Sequence, residues 1–112
     1  MRYLDPHYAV APQITPADVA ALQRQGFATL ICNRPDGEGA GQPLFAEIAA
    51  AAGALGIEAH YLPVTPAQIT QADRDAFAAL YAAAPKPVLG FCRTGNRAEQ
   101  LWHGLREGAG GA

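Results

Sequence analysis

One stretch of the chain puts a nucleophile, two guanidinium groups and a glycine within six positions: Cys92-Arg93-Thr94-Gly95-Asn96-Arg97. Before it stands the short apolar run Val88-Leu89-Gly90-Phe91; after it, Ala98, Leu101, Trp102 and Leu105 recur at helical spacing. A loop that passes from a strand straight into a helix aims several backbone N–H groups into one concavity. The helix dipole adds partial positive charge there. Gly95 permits the backbone angles of such a curl, and Arg97 offers a planar fork that matches an oxyanion. A cysteine in that position is favoured as thiolate, since helix-terminus cysteines reach pKa values of roughly 3.5–7.5. Cys92 and Arg97 are therefore the candidate catalytic pair, and Arg93, Thr94, Gly95 and Asn96 the candidate anion-binding residues. The plainer reading makes Cys92 a small buried hydrophobe with both arginines in solvent. A lone cysteine would fit that reading, but Gly and Arg at these spacings, between strand and helix, favour chemistry.

The elements that must hold this loop alternate along the chain. Tyr8-Ala9-Val10-Ala11 reads as a weak first strand. Thr15-Pro16-Ala17-Asp18 opens a helix to about Gln25, with Thr as cap and Pro at the first helical position. Phe27 to Cys32 is a continuous apolar run, hence a buried strand. A polar loop from Asn33 to Gly41 follows, and an alanine-rich helix runs from Pro43 to about Leu55. Glu58 to Leu62 is the third strand. Thr70-Gln71-Ala72-Asp73 caps a helix to about Ala83. Val88 to Phe91 delivers Cys92, and the last helix ends near Glu107. This alternation predicts a single α/β domain over 1–107, a mostly parallel four-stranded sheet with helices on both faces. Residues 108–112, Gly-Ala-Gly-Gly-Ala, read as a frayed tail. In such folds the loops at the carboxyl ends of the strands form the site.

Composition narrows the partners. The 112 residues are 50% apolar and 16% charged, with net charge −2, which fits one globular domain with a real core. No run of Lys or Arg points to nucleic acid or an anionic membrane. No apolar stretch nears ~18 residues, so no membrane span is expected. The first residues lack the apolar core of a secretory signal, and the expected compartment is the cytoplasm. Two cysteines, Cys32 and Cys92, are then expected as thiols. Their spacing with the histidines matches no zinc pattern, and no cofactor is expected.

Cys-Arg-x-Gly-x-Arg is similar to the six-residue active loop of rhodanese sulfurtransferases. Its strand–loop–helix setting resembles the phosphate loop (P-loop) of cysteine phosphatases, whose pattern is Cys-x5-Arg; here the spacing is Cys-x4-Arg. Gln13-Ile14-Thr15, Asn33-Arg34-Pro35-Asp36-Gly37-Glu38, Leu62-Pro63-Val64-Thr65 and Cys92 to Arg97 together resemble the beta-lactamase-hydrolase-like phosphatase family, over roughly residues 8–105. That resemblance implies a fold like that of dual-specificity phosphatases. Members also carry a sulfur-transferase label, and some are fused to, or encoded beside, enzymes of sulfide and persulfide oxidation.

The two chemistries ask for different residues. A cysteine phosphatase needs an acid to protonate the leaving oxygen, supplied in the resembled fold by an Asp on a loop before the cysteine. The matching segment, Leu62-Pro63-Val64-Thr65-Pro66-Ala67-Gln68, has no Asp or Glu. Asp73 and Asp75 read as helix cap and solvated face, and Asp36 could substitute if the fold brings it close. Such phosphatases usually place His before the cysteine, where Phe91 stands. Sulfur transfer needs no general acid: the thiolate takes sulfane sulfur from thiosulfate or a persulfide, and a second thiol removes it. Arg93 could hold a carboxylate of an acceptor such as glutathione. Sulfur transfer is thus preferred, with phosphate-monoester hydrolysis the alternative. A third reading is a non-catalytic anion-binding module.

Asn33, Arg34, Asp36 and Glu38 follow a central strand and belong at the same edge as Cys92. Arg34 could pair with Asp36 or Glu38 to order the loop, or help bind substrate; otherwise these are turn and surface residues. Cys32 ends its strand where many members of the resembled family have Asn. It reads as a buried small residue before a resolving thiol, which needs Cα atoms within ~7 Å. His60, His103 and Trp102 read as structural or solvent-facing.

Overall fold

The computed structural model describes residues 1–110, with side chains through Leu105; of the expected frayed tail at 108–112, residues 108–110 fall within the last helix and residues 111–112 lie outside the described residues. Five strands are present: β1 (Arg2–Asp5), β2 (Tyr8–Ala11), β3 (Thr29–Cys32), β4 (Glu58–Tyr61) and β5 (Val88–Phe91). They form one sheet in the order β1-β2-β5-β3-β4. All neighbours are parallel except β1 with β2. The expected four strands are all there, and β1 adds a fifth at the edge. Its first two residues are exposed, so Arg2-Tyr3-Leu4-Asp5 carries no buried apolar pattern to announce it. Asp5 Oδ1 accepts from the His7 amide at 2.6 Å and closes the tight link to β2.

The helices are α1 (Val19–Arg24), α2 (Phe45–Ala54), α3 (Gln71–Ala83) and α4 (Asn96–Gly110). The helix expected from Pro16 begins instead as a 3-10 turn, Pro16–Asp18. The Asp18 carboxylate still accepts from the Thr15 amide at 2.8 Å, as the capping pattern predicts. At α3, Thr70 Oγ1 accepts from the Asp73 amide (3.1 Å) and Asp73 returns the bond to the Thr70 amide (2.9 Å). Asp73 is thus the cap that its position foretold.

The sheet has a core on each face. Val19, Leu22, Ile48 and Ala52, from α1 and α2, pack with Ala9, Leu30, Leu89 and Phe91. Phe77, Ala98, Leu101 and Trp102, from α3 and α4, pack with Tyr8, Val10, Ile31 and Val88. Every residue of β2, β3 and β5 is buried, which is why those segments read as unbroken apolar runs. Tyr8 ties the second core to the site. Its ring stacks on Trp102 at 4.9 Å, and its hydroxyl donates to the Ala98 carbonyl at 3.1 Å. Gly90 makes room for this: a Cβ there would stand 2.2 Å from Tyr8 Oη. The first turn of α4 is thereby set against the end of β5, where Cys92 emerges.

Candidate active site

Cys92 leaves β5 with its N–H directed at the Ala11 carbonyl, 3.4 Å away. It is 1% exposed. The chain curls at once, and the Gly95 N–H donates to Cys92 Sγ at 3.1 Å. Gly95 has φ +94°, and a Cβ on it would meet the Ala11 backbone at 3.4 Å; a side chain here is strained and crowded together. Thr94 Oγ1 accepts from the Asn96 amide at 3.3 Å, bracing the turn into α4. The expected sequence of strand, loop, helix N-terminus and sulfur-directed amide is therefore built as the spacing requires.

Arg97 is buried, 5% exposed, and its fork is already held. Nη1 and Nη2 donate to Glu38 Oε2 and Oε1 at 2.9 and 2.7 Å, and Nη1 also donates to the Val64 carbonyl at 3.1 Å. Arg34, also buried, donates from Nε to Glu38 Oε1 at 3.0 Å and from Nη1 to Gln13 Oε1 at 3.2 Å. One carboxylate thus bridges two guanidinium groups. Hydrogen bonding from Arg97, reinforced by Arg34, holds the Glu38 carboxyl below its usual range, against some desolvation. The same bond to Glu38 raises Arg97, burial opposes the rise, and Cys92 adds to it. Gly39 keeps the bridge open, because a Cβ there would lie 2.6 Å from Arg34 Nη2.

A cleft of about 470 Å³ opens beside the loop, lined by Arg34, Glu38, Gly39, Pro66, Arg93, Thr94, Asn96 and Arg97. Seven of the eight predicted site residues thus share one region: Cys92 and Gly95 form the loop interior, and Arg93, Thr94, Asn96, Arg97 and Arg34 line the cleft, with Asp36 set apart from all of these. Asp36 Oδ1 accepts from the Phe45 amide at 2.8 Å, in the first turn of α2, and the Asp36 amide donates to Tyr61 Oη at 2.9 Å. It orders the loop and the helix start. Among the described residues Glu38 is the one carboxylate of the cleft lining. Sequence reasoning had Arg34 pairing with Asp36 or Glu38, and the structure pairs it with Glu38; the grip of Glu38 on Arg97, 59 positions away, needs the fold.

Cys32 is buried and free, as is Cys92. Burial pushes the Cys32 thiol up to about 11, only partly offset by the Arg34 backbone. Cys32 pairs in register with Phe91, and both side chains belong to the α1/α2 core. Alternation turns the next residue, Cys92, to the other face. That placement favours the small-buried-residue reading of Cys32. Half-buried His60 and exposed His103 pair with Glu58 and Glu99, and Trp102 is core.

A mostly parallel sheet that ends β5 in a thiol, its sulfur met by a loop amide, is a cysteine-phosphatase-like fold. The chain belongs to the family described as "Beta-lactamase hydrolase-like protein, phosphatase-like domain", whose model matches residues 1–109. A beta-lactamase hydrolase-like protein of Agrobacterium fabrum is 42% identical over 93 residues, 83% of this chain and 22% of that protein; the chain spans about a fifth of the length of such relatives. A candidate phosphatase from Neisseria meningitidis superposes with TM-score 0.84 at 41% identity, covering 90% of this chain and 72% of that one. Pseudomonas aeruginosa TpbA, in complex with pTyr, gives 0.66 at 21% identity, covering 88% and 56%; at that identity the likeness is one of fold.

Proposed function

We propose that this domain transfers sulfane sulfur through a persulfide on Cys92. The Cys92 thiolate attacks the outer sulfur of thiosulfate or of a persulfide. A bond forms between the two sulfurs, the donor's S–S bond breaks, and sulfite or a thiolate leaves with the electron pair. A thiol acceptor such as glutathione then takes the outer sulfur and returns the Cys92 thiolate. Gly95 N–H stabilises that thiolate, Arg97 and the loop residues Thr94 and Asn96 receive the donor's anionic end, and Arg93 at the cleft rim suits a carboxylate of the acceptor. A reducing cytoplasm, in which both cysteines stay thiols, belongs to the same proposal.

The observation that carries this reading is the state of Glu38. It is the cleft's carboxylate, and two arginines keep it ionised. An ionised carboxylate cannot protonate an alkoxide or phenoxide leaving group. Sulfite and thiolates depart as anions and need no acid.

The second reading is hydrolysis of phosphate monoesters through a phosphocysteine. The relatives favour it over sulfur: the family is described as phosphatase-like, the Neisseria structure as a candidate phosphatase, and the more distant TpbA was seen with pTyr. Intact-mass spectrometry separates the two. Thiosulfate should add one sulfur atom to the wild type and none to Cys92→Ser, and glutathione should remove it. Release of phosphate from an aryl phosphate, with no sulfur uptake, would establish the second reading instead.

A further inference from the structure

We infer that Asn33 is a catalytic contact of the sulfur-loaded domain, its Oδ1 accepting a hydrogen bond from the outer S–H of a Cys92 persulfide. This inference rests on the sulfur-transfer reading. Asn33 follows β3 and is 0% exposed. Its backbone is satisfied: the N–H donates to the Phe91 carbonyl (2.8 Å), and its carbonyl accepts from the Val64 amide (3.1 Å). Its Nδ2 donates to the Leu62 carbonyl at 2.8 Å. Its Oδ1 is, among the described residues, the buried side-chain oxygen or nitrogen without a hydrogen-bond partner. A buried acceptor left unpaired is costly, and a fold that keeps one has a use for it.

Two facts aim that oxygen at the reacting sulfur. Cys32 pairs with Phe91, so the next pair in register is Asn33 and Cys92, with side chains on the same face. β3 lies between β5 and β4. Nδ2 reaches toward Leu62, at the end of β4, so the other arm of the planar amide turns to the β5 side, where Cys92 emerges. Oδ1 has no hydrogen bond to the resting thiol; one added sulfur extends the Cys92 side chain by a bond of about 2 Å on that same face.

The chemistry gives this acceptor a purpose. Thiosulfate loading leaves Cys92–S–S⁻ and releases sulfite. Uptake of one proton from water gives Cys92–S–S–H. The acceptor thiolate RS⁻ then attacks the outer sulfur, forming RS–SH, and the inner S–S bond breaks to return the Cys92 thiolate. An anionic outer sulfur repels RS⁻; a protonated one does not. Asn33 Oδ1 favours the protonated form, while Gly95 N–H assists the departing thiolate. The charged or titratable groups that interact with Cys92 are Arg97 of α4, Tyr8 of β2 and Cys32 of β3. Arg97 favours the anion and opposes Asn33, so the variant has to be compared against an unchanged Arg97.

The test separates the two half-reactions in wild type and Asn33→Leu. Loading by thiosulfate, read as one added sulfur by intact mass, should stay within about twofold. Transfer from the isolated persulfide form to glutathione should slow by about tenfold, the worth of one hydrogen bond, and its pH profile should move to lower pH. Equal transfer rates and profiles would overturn the assignment, as would equal slowing of both half-reactions. Asn33→Ser serves in the same way if the leucine variant fails to fold. Absence of any sulfur uptake by wild type sinks the sulfur-transfer reading itself; uptake with unaltered Asn33→Leu transfer sinks only this residue's part.

Discussion

Glu38→Gln should destabilise the domain and at the same time make it more responsive to anions. Glu38 receives three charge-assisted hydrogen bonds, at 2.7, 2.9 and 3.0 Å, from two arginines that are 5% and 8% exposed. Glutamine keeps one acceptor oxygen and loses the charge, so two nearly buried cations are left facing each other. Removing one partner of a fully buried pair costs about 3–5 kcal/mol. A quarter of the Glu38 side chain is exposed, which screens the pair and brings the expected loss to about 1.5–3 kcal/mol. In a domain near this size that lowers Tm by roughly 6–15 °C. Sulfate or phosphate should then recover more stability in the variant than in wild type, since the anion replaces the missing charge. The pH dependence follows the same logic. The folded pKa of Glu38 lies below its ordinary 4.5, so its stabilisation is complete above that value and is lost as pH falls through the folded pKa. Glu38→Gln should lack this component of the acid transition. Thermal melts with and without sulfate, from neutral to acid pH, read all three effects. An unchanged Tm with an unchanged sulfate response would refute the bridge.

Three further outcomes follow from the geometry. Asp36→Ala removes the bond to the Phe45 amide and should cost about 1 kcal/mol by melting, leaving Cys92 turnover unchanged; lost turnover at full fold would return Asp36 to the reaction. Gly90→Ala places a methyl against Tyr8 Oη and 3.1 Å from Ala98 Cβ, so melts should show about 1–3 kcal/mol of overpacking together with slower sulfur loading, because the first turn of α4 must shift. Cys32→Ala should load and transfer sulfur like wild type in the intact-mass assay, whereas a resolving thiol would leave the persulfide stranded.

The loop at Cys92 was readable because its chemistry is local: a glycine at positive φ, a helix start and an arginine all fall within six residues. The buried strands β2, β3 and β5 were readable for the same reason, as apolar runs between turn signals. What stayed hidden depended on distance. β1 is an exposed edge strand whose partner, not its composition, makes it a strand. Asp36 and Glu38 look alike in the sequence, two acids on one polar loop. The fold sends one to the start of α2 and the other to Arg97. The sequence places Asn33 at the same edge as Cys92 and reads it as a turn former; its buried, unpaired oxygen needs the fold.

The most direct test is one preparation assayed twice, wild type beside Cys92→Ser, with thiosulfate and glutathione in one series and an aryl phosphate in the other. The geometry predicts glutathione persulfide and sulfite from the wild type, nothing from the variant, and negligible phosphate release from either. Cys92-dependent phosphate release without sulfur transfer would contradict it.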